Sequence, residues 1–303
     1  MTGGHDPHHR HFFRGVGMMM VAVFMFSSAD TLAKFMLKTY PIGPLIWARY
    51  STHLLFMLMV FGPRMKLDLV RTIHPGLQIL RGVLLVSSTG MFYLSLKFLP
   101  LAEAAAISFV GPVLVTVLSG PLLRERVSRR QWAAVVLGFV GVLIIVRPGG
   151  AVFSPTVLFP LTTALLFALY QIATRKVAGR DNPVTTLFYT ALIGAAISSL
   201  ALPFGWHTPT WPQVGLMIAM GSLGGTGHFL LIRAVEHASP MALGPFVYTQ
   251  LVWSTLLAWI AFREFPDGGS ITGMMVIIAA GLLAVNWRRM RRRTDTTDSA
   301  LSH

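Results

Sequence analysis

Ten long apolar stretches follow one another along this sequence, with only short polar breaks between them. A helix of roughly 20 apolar residues crosses the ~30 Å hydrocarbon core of a bilayer. Because every backbone polar group in that core needs an internal hydrogen bond, and the two-residue period of barrel strands is absent, the stretches predict membrane-spanning helices. The predicted spans are 15–37, 43–62, 77–98, 102–123, 130–147, 155–175, 183–204, 212–235, 240–262 and 270–288.

The composition agrees with a chain embedded in lipid. Hydrophobic residues make up 54% of the sequence and charged residues 12%, whereas soluble domains carry about 25% charged residues. The chain has no cysteine, which excludes thiolate metal sites and thiol redox chemistry, and we expect no metal and no cofactor. A formal net charge of +14 is typical of chains that meet nucleic acid or an anionic membrane surface. The apolar spans favour the lipid bilayer as the partner, and no nucleic acid.

The positively charged residues fall mainly into alternate connections between the spans. Eighteen of the 25 Lys and Arg residues lie in the termini and in one alternating set of connections. The other set holds only Lys34, Lys38, Lys97, Arg147 and Arg263. Because cytoplasmic connections carry the excess of Lys and Arg, this distribution predicts an even number of spans in a multi-pass inner-membrane protein with both termini in the cytoplasm. The cytoplasmic termini are an arm at 1–14 and a basic tail at 289–303.

The second half of the sequence repeats motifs of the first half in the same order. The matches are Asp30-x3-Lys34 with Gln171-x3-Arg175, Gly90-Met-Phe-Tyr-Leu with Gly227-His-Phe-Leu-Leu, Leu123-Arg-Glu with Phe262-Arg-Glu, and the apolar runs from Gly141 and Gly281. Each half, 15–147 and 155–288, holds five spans, and an odd number reverses the direction in which the second half crosses the membrane. The sequence therefore predicts an inverted repeat, which many secondary transporters share. The alternative is a duplication that only enlarged a non-transport membrane scaffold.

Several short segments also carry a family resemblance. They are Ala29-Asp-Thr-Leu-Ala-Lys34, Trp47-Ala-Arg-Tyr50, Leu99-Pro-Leu-Ala-Glu-Ala-Ala-Ala-Ile-Ser108, Leu123-Arg-Glu-Arg126, Gly227-His-Phe-Leu-Leu-Ile-Arg233 and Pro245-Phe-Val-Tyr-Thr-Gln250. Through them the chain, from about 15 to 288, resembles the drug/metabolite transporter superfamily in its EamA branch of ten-helix transporters. The resemblance implies two inverted five-helix EamA repeats, a central cavity lined mainly by helices 1, 3, 4, 6, 8 and 9, and a small-molecule metabolite as substrate.

Ionisable side chains lie inside the predicted spans, where a charge costs about 2.5–3.5 kcal/mol. Asp30 and Arg49 lie roughly 10 Å and 9 Å from the same end of adjacent spans, at about 1.5 Å per residue. Either Arg49 or Lys34, one turn away, can pair with Asp30. The Asp30–Arg49 pair is either a closed structural contact or one that opens in transport, with Arg49 meeting an anionic group. Asp30, His53 and His228 are candidates for coupling to a proton; a permanently neutral histidine is the alternative.

Polar aromatic and amide side chains indicate where a substrate binds. A buried Tyr or Trp needs a partner for its polar tip, and an aromatic wall suits planar or cationic molecules. We expect substrate contact from Asp30, Arg49, Tyr93, Tyr170, Gln171, His228, Tyr248, Gln250 and Trp253. Helix packing or the interfacial aromatic belt is the alternative for the aromatic residues. Gly111-Pro112 and Gly244-Pro245 predict kinks at corresponding places in the two halves.

The sequence lacks three common signatures of hydrolytic enzymes and nucleotide-binding proteins. HExxH, GxSxG and GxxxxGK[ST] are absent, so we expect no enzyme activity and no ATP-driven pumping by this chain alone. We predict a secondary active transporter, monomeric or homodimeric, that uses alternating access and is driven by an ion gradient or by exchange. Candidate substrates are riboflavin-like vitamins, amino-acid derivatives, S-adenosylmethionine-like metabolites and opine metallophores, moved in either direction. A membrane channel is the main alternative, although the polar groups do not form a continuous file.

Overall fold

The computed structural model of the chain describes residues 7–124, 128–147, 153–238 and 240–284. The predicted basic tail, 289–303, lies outside the described residues. Within the described ranges the regular structure is helical and contains no strand. Its α-helices are α1 (Pro7–Met36), α2 (Ile42–Met65), α3 (Pro75–Leu96), α4 (Leu101–Ser108), α5 (Gly111–Leu123), α6 (Arg129–Val146), α7 (Leu158–Val177), α8 (Pro183–Ser199), α9 (Trp211–His237), α10 (Pro240–Val247), α11 (Thr249–Phe262) and α12 (Gly268–Ala284).

These helices account for the ten predicted spans. α4 and α5 together form the fourth span, and α10 and α11 together form the ninth. In the described part of the chain, eight spans are helical segments of at least 18 residues that are apolar enough to cross a bilayer. The other two spans are α8 and α12, apolar helices of 17 residues each. The prediction of an all-α membrane protein with ten transmembrane helices is confirmed.

The helices of the two halves pack extensively against each other with an internal symmetry. Adding six to a helix number in the first repeat, α1–α6, gives its counterpart in the second repeat, α7–α12. Under this exchange the α1–α9 contact becomes α7–α3, and the α2–α9 contact becomes α8–α3. All four of these contacts are present in the structure. In the α2–α8 and α6–α12 contacts, a helix packs against its own counterpart. This pattern is the one expected of two inverted repeats related by a pseudo-twofold axis.

Local sequence signals set several helix ends. Ser128 caps α6, because its hydroxyl accepts a hydrogen bond from the Gln131 N–H (3.3 Å) while the Gln131 side chain accepts one from the Ser128 N–H (2.8 Å). Arg124 and Arg263 follow α5 and α11 in the left-handed backbone conformation, with φ of 56° and 60°. These two arginines are equivalent in the repeat, so the fourth and ninth spans end in the same way.

The fourth and ninth spans are interrupted close to their predicted kinks. The helix stops at Phe109–Val110 in the fourth span and at Tyr248 in the ninth. At both breaks an N–H bonds to a carbonyl three residues back instead of four, Val110 to Ile107 at 3.2 Å and Tyr248 to Pro245 at 3.3 Å. Pro112, at the start of α5, lacks the N–H that a continuous helix through the first break needs. Pro245 lies inside α10, three residues before the second break. The Phe109 and Tyr248 rings contact each other, with centroids 5.5 Å apart.

A salt bridge joins the two repeats at one end of the bundle, which we call the Lys34 end. Lys34 Nζ lies 2.5 Å from Glu264 Oε2 and donates a hydrogen bond to the Leu99 carbonyl at 3.3 Å. Arg147 and Asp267 form a second bridge at this end, between α6 and the start of α12, at 2.9 Å. The Ser270 N–H, together with Arg147, holds the pKa of Asp267 below its usual range.

A different polar contact joins the repeats at the opposite end, which we call the Asp181 end. Asp181 lies between α7 and α8 and accepts hydrogen bonds from the Thr72 hydroxyl, the Ile73 N–H (3.0 Å) and the Gln78 amide (2.8 Å). Partial burial alone would raise the pKa of Asp181, but these three hydrogen bonds hold it below its usual range. Both ends of the bundle are therefore closed by contacts that cross from one repeat to the other.

Candidate substrate cavity

A buried cluster around Arg49 joins the first three helices. Arg49 Nη1 donates to Asp30 Oδ1 of α1 at 3.3 Å and to the Tyr93 hydroxyl of α3 at 3.0 Å. The Tyr93 hydroxyl in turn lies 3.5 Å from the Met220 sulfur of α9. The Asp30 and Arg49 side chains are 13% and 15% exposed. The structure thus pairs Asp30 with Arg49, whereas Lys34 bonds to the other repeat.

The Arg49 guanidinium faces a cavity between the two repeats. The cavity has a volume of about 40 Å³, within an empty space of about 360 Å³ that includes open solvent, and its walls come from α2, α3, α8 and α9. It is lined by Arg49, Tyr50, His53, Leu85, Thr89, Thr190, Gly221, Gly224 and His228. By span number the walls are 2, 3, 7 and 8, and the glycines of span 8 open the space opposite span 2. Spans 3 and 8 are among those that the resemblance implies for the central cavity, and lining by spans 1, 4, 6 and 9 stays a prediction.

Glycines of α9 make room for the side chains of α2. A β-carbon on Gly221 would overlap Thr52, and one on Gly225 would lie 3.2 Å from the His53 ring. A β-carbon on Gly224 would lie 3.8–3.9 Å from the Arg49 guanidinium, which is an ordinary contact. The first two glycines therefore permit close helix packing, whereas Gly224 leaves open space beside the charge.

Two stacked histidines form part of the cavity wall one turn from Arg49. The His53 and His228 rings, from α2 and α9, are parallel within 4° and have centroids 5.5 Å apart. Phe26 packs edge-on against His228 at 4.8 Å. The Nε2 atom of His53 is buried and has no hydrogen-bond partner among the described residues. The structure brings both histidines that the sequence singled out to the cavity that contains Arg49.

A second buried guanidinium lies one helical turn from the cavity wall. Arg81 of α3 is 2% exposed and stands four residues before the cavity residue Leu85. Its nitrogen atoms donate to Thr174 Oγ1 (2.9 Å), Gln78 Oε1 (2.7 Å) and the Thr186 carbonyl (3.3 Å). The sequence places Arg81 inside a span but gives no sign of its partners, because two of them belong to the second repeat.

Tyr170, which the sequence predicts as a substrate contact, belongs to the Arg81 cluster. Its hydroxyl accepts a hydrogen bond from Arg81 Nη2 at 3.3 Å, and its ring centroid lies 5.1 Å from the guanidinium carbon. The neighbouring Gln171 is half-buried. Neither residue lines the cavity described above. Contact with a substrate stays a prediction for both.

The three predicted contacts on the ninth span do not line this cavity either. Tyr248 is 6% exposed, and its hydroxyl rests on α12, where a β-carbon at Gly281 would overlap it. The Trp253 ring packs edge-on against Phe24 of α1, with centroids 5.0 Å apart. Gln250 is half-buried nearby on α11. Of the nine predicted contacts, Arg49 and His228 line the cavity, and Asp30 and Tyr93 bind Arg49 behind its wall.

The cavity offers charged, hydroxyl, imidazole and aromatic groups to a ligand. Within the described ranges, no group of three or more His, Asp or Glu side chains is placed to hold a metal ion. Pockets of this kind, with a few convergent polar groups in an apolar wall, bind small molecules. Two inverted repeats that enclose such a pocket define a membrane transporter of small molecules.

The model of the EamA-like transporter family matches residues 13–147 and 154–286, one match for each repeat. The chain belongs to this family. A solved crystal structure shares the fold, with a TM-score of 0.63 and 21% identity over 91% of this chain and 98% of the other.

Curated relatives of the chain are metabolite transporters. An S-adenosylmethionine uptake transporter of Rickettsia bellii is 29% identical, over 89% of this chain and 93% of the relative. A riboflavin transporter of Vibrio cholerae is 26% identical, over 94% and 97%. A pseudopaline exporter of Pseudomonas aeruginosa is 26% identical, over 88% and 94%. The protein is therefore a multi-pass membrane transporter of small metabolites and not an enzyme.

Proposed function

We propose that the protein is a secondary active transporter that carries a small polar or aromatic metabolite across the inner membrane by alternating access. The observation that supports it most is the Asp30–Arg49 pair beside a cavity at the junction of the two repeats. A buried ion pair costs desolvation energy, so a pair that faces a cavity is well placed to exchange a partner for a charged group of the substrate. The positive-inside distribution supports cytoplasmic termini.

The relatives suggest which substrates to test first. Those named above carry S-adenosylmethionine, riboflavin and pseudopaline. All three are within the classes that the sequence favours, namely vitamins, amino-acid derivatives and opine metallophores. Both uptake and export occur among these relatives, so transport is to be measured in both directions.

Protons are the coupling ion that the cavity favours. Asp30, His53 and His228 are the candidates for proton coupling, because the two histidines line the cavity and Asp30 binds Arg49 beside it. Movement of the Arg49 guanidinium towards a substrate would leave Asp30 without its cation and raise its affinity for a proton. Substrate binding and proton binding would then be linked through one residue. We propose that the transporter acts as a monomer or homodimer.

Counterflow in proteoliposomes tests the proposed function. Vesicles that hold the purified protein are loaded with unlabelled S-adenosylmethionine, riboflavin or an opine, and entry of the labelled compound is followed. We expect saturable counterflow of at least one compound and no unitary conductance in planar bilayers. Unitary conductance would indicate a channel, and the absence of both transport and conductance would indicate a scaffold.

A further inference from the structure

Arg81 carries a positive charge that no carboxylate neutralises by direct contact in the part of the chain that the structure describes. Its partners are a hydroxyl, an amide, a backbone carbonyl and the Tyr170 phenol. Burying a guanidinium without an anion is unfavourable even when its N–H groups are hydrogen-bonded. Arg49, by contrast, is paired with Asp30. Together these groups supply two guanidinium charges and one carboxylate charge, which leaves one positive charge for a further anion to balance.

Arg81 lies directly behind the cavity wall. Leu85, one turn further along α3, lines the cavity. On α8 the Thr186 carbonyl accepts hydrogen bonds from Arg81 at 3.3 Å and from the hydroxyl of Thr190, another lining residue, at 3.0 Å. A small displacement of this wall would therefore expose the guanidinium to whatever occupies the cavity.

A single amide connects Arg81 to the contact that closes the Asp181 end. Gln78 Oε1 accepts a hydrogen bond from Arg81 at 2.7 Å, and Gln78 Nε2 donates to Asp181 Oδ2 at 2.8 Å and to Thr186 Oγ1 at 3.1 Å. Asp181 belongs to the second repeat and Gln78 to the first. Separation of the repeats at this end would break the Gln78–Asp181 bond and free Gln78 to move away from Arg81.

We propose that Arg81 binds an oxyanionic group of the substrate, a carboxylate or a phosphate, when the Asp181 end opens. A planar guanidinium presents paired N–H donors that bind either group in a bidentate manner. The inference rests on the proposed transport function and specifies its substrate class, a metabolite with at least one such group. Arg49 and Arg81 would then both contact the substrate.

Matched probes test this assignment on the purified full-length protein in detergent. Calorimetry compares S-adenosylhomocysteine with its decarboxylated form, and riboflavin 5′-phosphate with riboflavin. The first pair reports a carboxylate and the second a phosphate. We expect the wild type to bind at least one oxyanionic probe about tenfold more tightly than its counterpart. In Arg81→Met we expect the two members of that pair to bind equally.

The Arg81→Lys variant is the matched control, because it keeps the charge and loses the planar fork. We expect it to retain a preference for the oxyanion, reduced about threefold or more. If Arg81→Met does not fold, Arg81→Lys alone tests the inference. A preference for the oxyanionic probe in Arg81→Lys equal to that of the wild type would overturn it. A wild type without a preference, or a preference that survives in Arg81→Met and disappears in Arg49→Lys, would also overturn it. Counterflow that persists in those cases would leave the proposed transport function intact.

Discussion

At the scale of residues, one nitrogen atom of Arg49 links three helices. Nη1 contacts both the Asp30 carboxylate and the Tyr93 hydroxyl, while the rest of the guanidinium faces Gly224 and the cavity. The residue therefore contributes to stability and to the polarity of the cavity at the same time. Substitution can therefore change stability and transport separately. Measuring both distinguishes an Asp30–Arg49 pair that is only structural from one that acts in transport.

Replacing Arg49 by Ala is expected to abolish counterflow. It removes the cavity cation and leaves Asp30 buried without a partner, which costs about 3–5 kcal/mol if the carboxylate stays charged. The measurements are counterflow and thermal unfolding in detergent. The Asp30→Arg/Arg49→Asp double variant is the control, and we expect it to recover folding without recovering transport. Normal counterflow in Arg49→Ala would remove this residue from the mechanism.

Two cavity glycines of α9 are expected to respond differently to the same change. Gly221→Ala forces a β-carbon into Thr52 and should lower the free energy of unfolding by about 1–3 kcal/mol through overpacking. Gly224→Ala adds its methyl group at ordinary contact distance from Arg49, so its melting temperature should stay close to that of the wild type or rise. Equal loss of stability in both variants would contradict the described α2–α9 packing.

The sequence could place Asp30 and Arg49 at one level, from their depth along adjacent spans, but it left Lys34 as an alternative partner of Asp30. It could not predict the Lys34–Glu264 bridge or the acceptors of Arg81. Apart from Gln78, which lies on the same helix as Arg81, those partners lie in the opposite repeat, and their proximity depends on how the two repeats dock. The predicted contacts Tyr248 and Trp253 pack against neighbouring helices outside the described cavity. The sequence could not predict this, because mid-span position alone does not fix the face on which a side chain lies.

At the scale of elements, the fourth and ninth spans are the ones that are divided into two α-helices within the described ranges. Each is two short helices joined at a point where the backbone bonds three residues back. The breaks meet through the Phe109 and Tyr248 rings. A change in the angle between the two helices at one break would therefore be transmitted to the other break through this ring contact. The Gly-Pro pairs predicted these kinks to within three residues, and the exact stopping points depend on the local backbone bonds.

Removing the prolines beside the breaks is expected to slow transport while leaving binding nearly unchanged. Pro112→Ala restores an N–H that can extend the helix through the break at Phe109–Val110, and Pro245→Ala restores one in the last turn before the break at Tyr248. Bending at both places then becomes more costly. We expect counterflow rates to fall about fivefold or more, with dissociation constants within about twofold of wild type. Pro63→Ala, near the end of α2, is the control and should behave like the wild type. Wild-type rates in both test variants would show that the breaks do not move.

At the scale of the whole molecule, the contacts between helices are nearly symmetric under exchange of the repeats. The Lys34–Glu264 bridge closes one end and the Asp181 contacts close the other, and both cross between repeats. Counting spans and charges could predict ten helices and the reversed second half. It could not predict that the cavity lies among α2, α3, α8 and α9, because that position depends on the glycines of α9 and the packing they allow.

Because the chain has no cysteine, pairs of cysteines can be introduced into an otherwise thiol-free protein. One pair replaces Lys34 and Glu264, a second replaces Thr72 and Asp181, and a third replaces Arg233 and Glu236, one turn apart on α9. A short bifunctional methanethiosulfonate reagent then bridges each pair through two disulfide bonds, which reduction cleaves. The third pair is the control, since both residues lie on one helix of the second repeat, are exposed and do not line the cavity.

Counterflow before bridging, after bridging and after reduction is the most direct test of alternating access between the two repeats. The bridge at the Lys34 end and the bridge at the Asp181 end are each expected to stop counterflow, and reduction should restore it. The control bridge should leave counterflow unchanged. Continued counterflow with either end fully bridged would contradict the account, because substrate would then cross without that end opening.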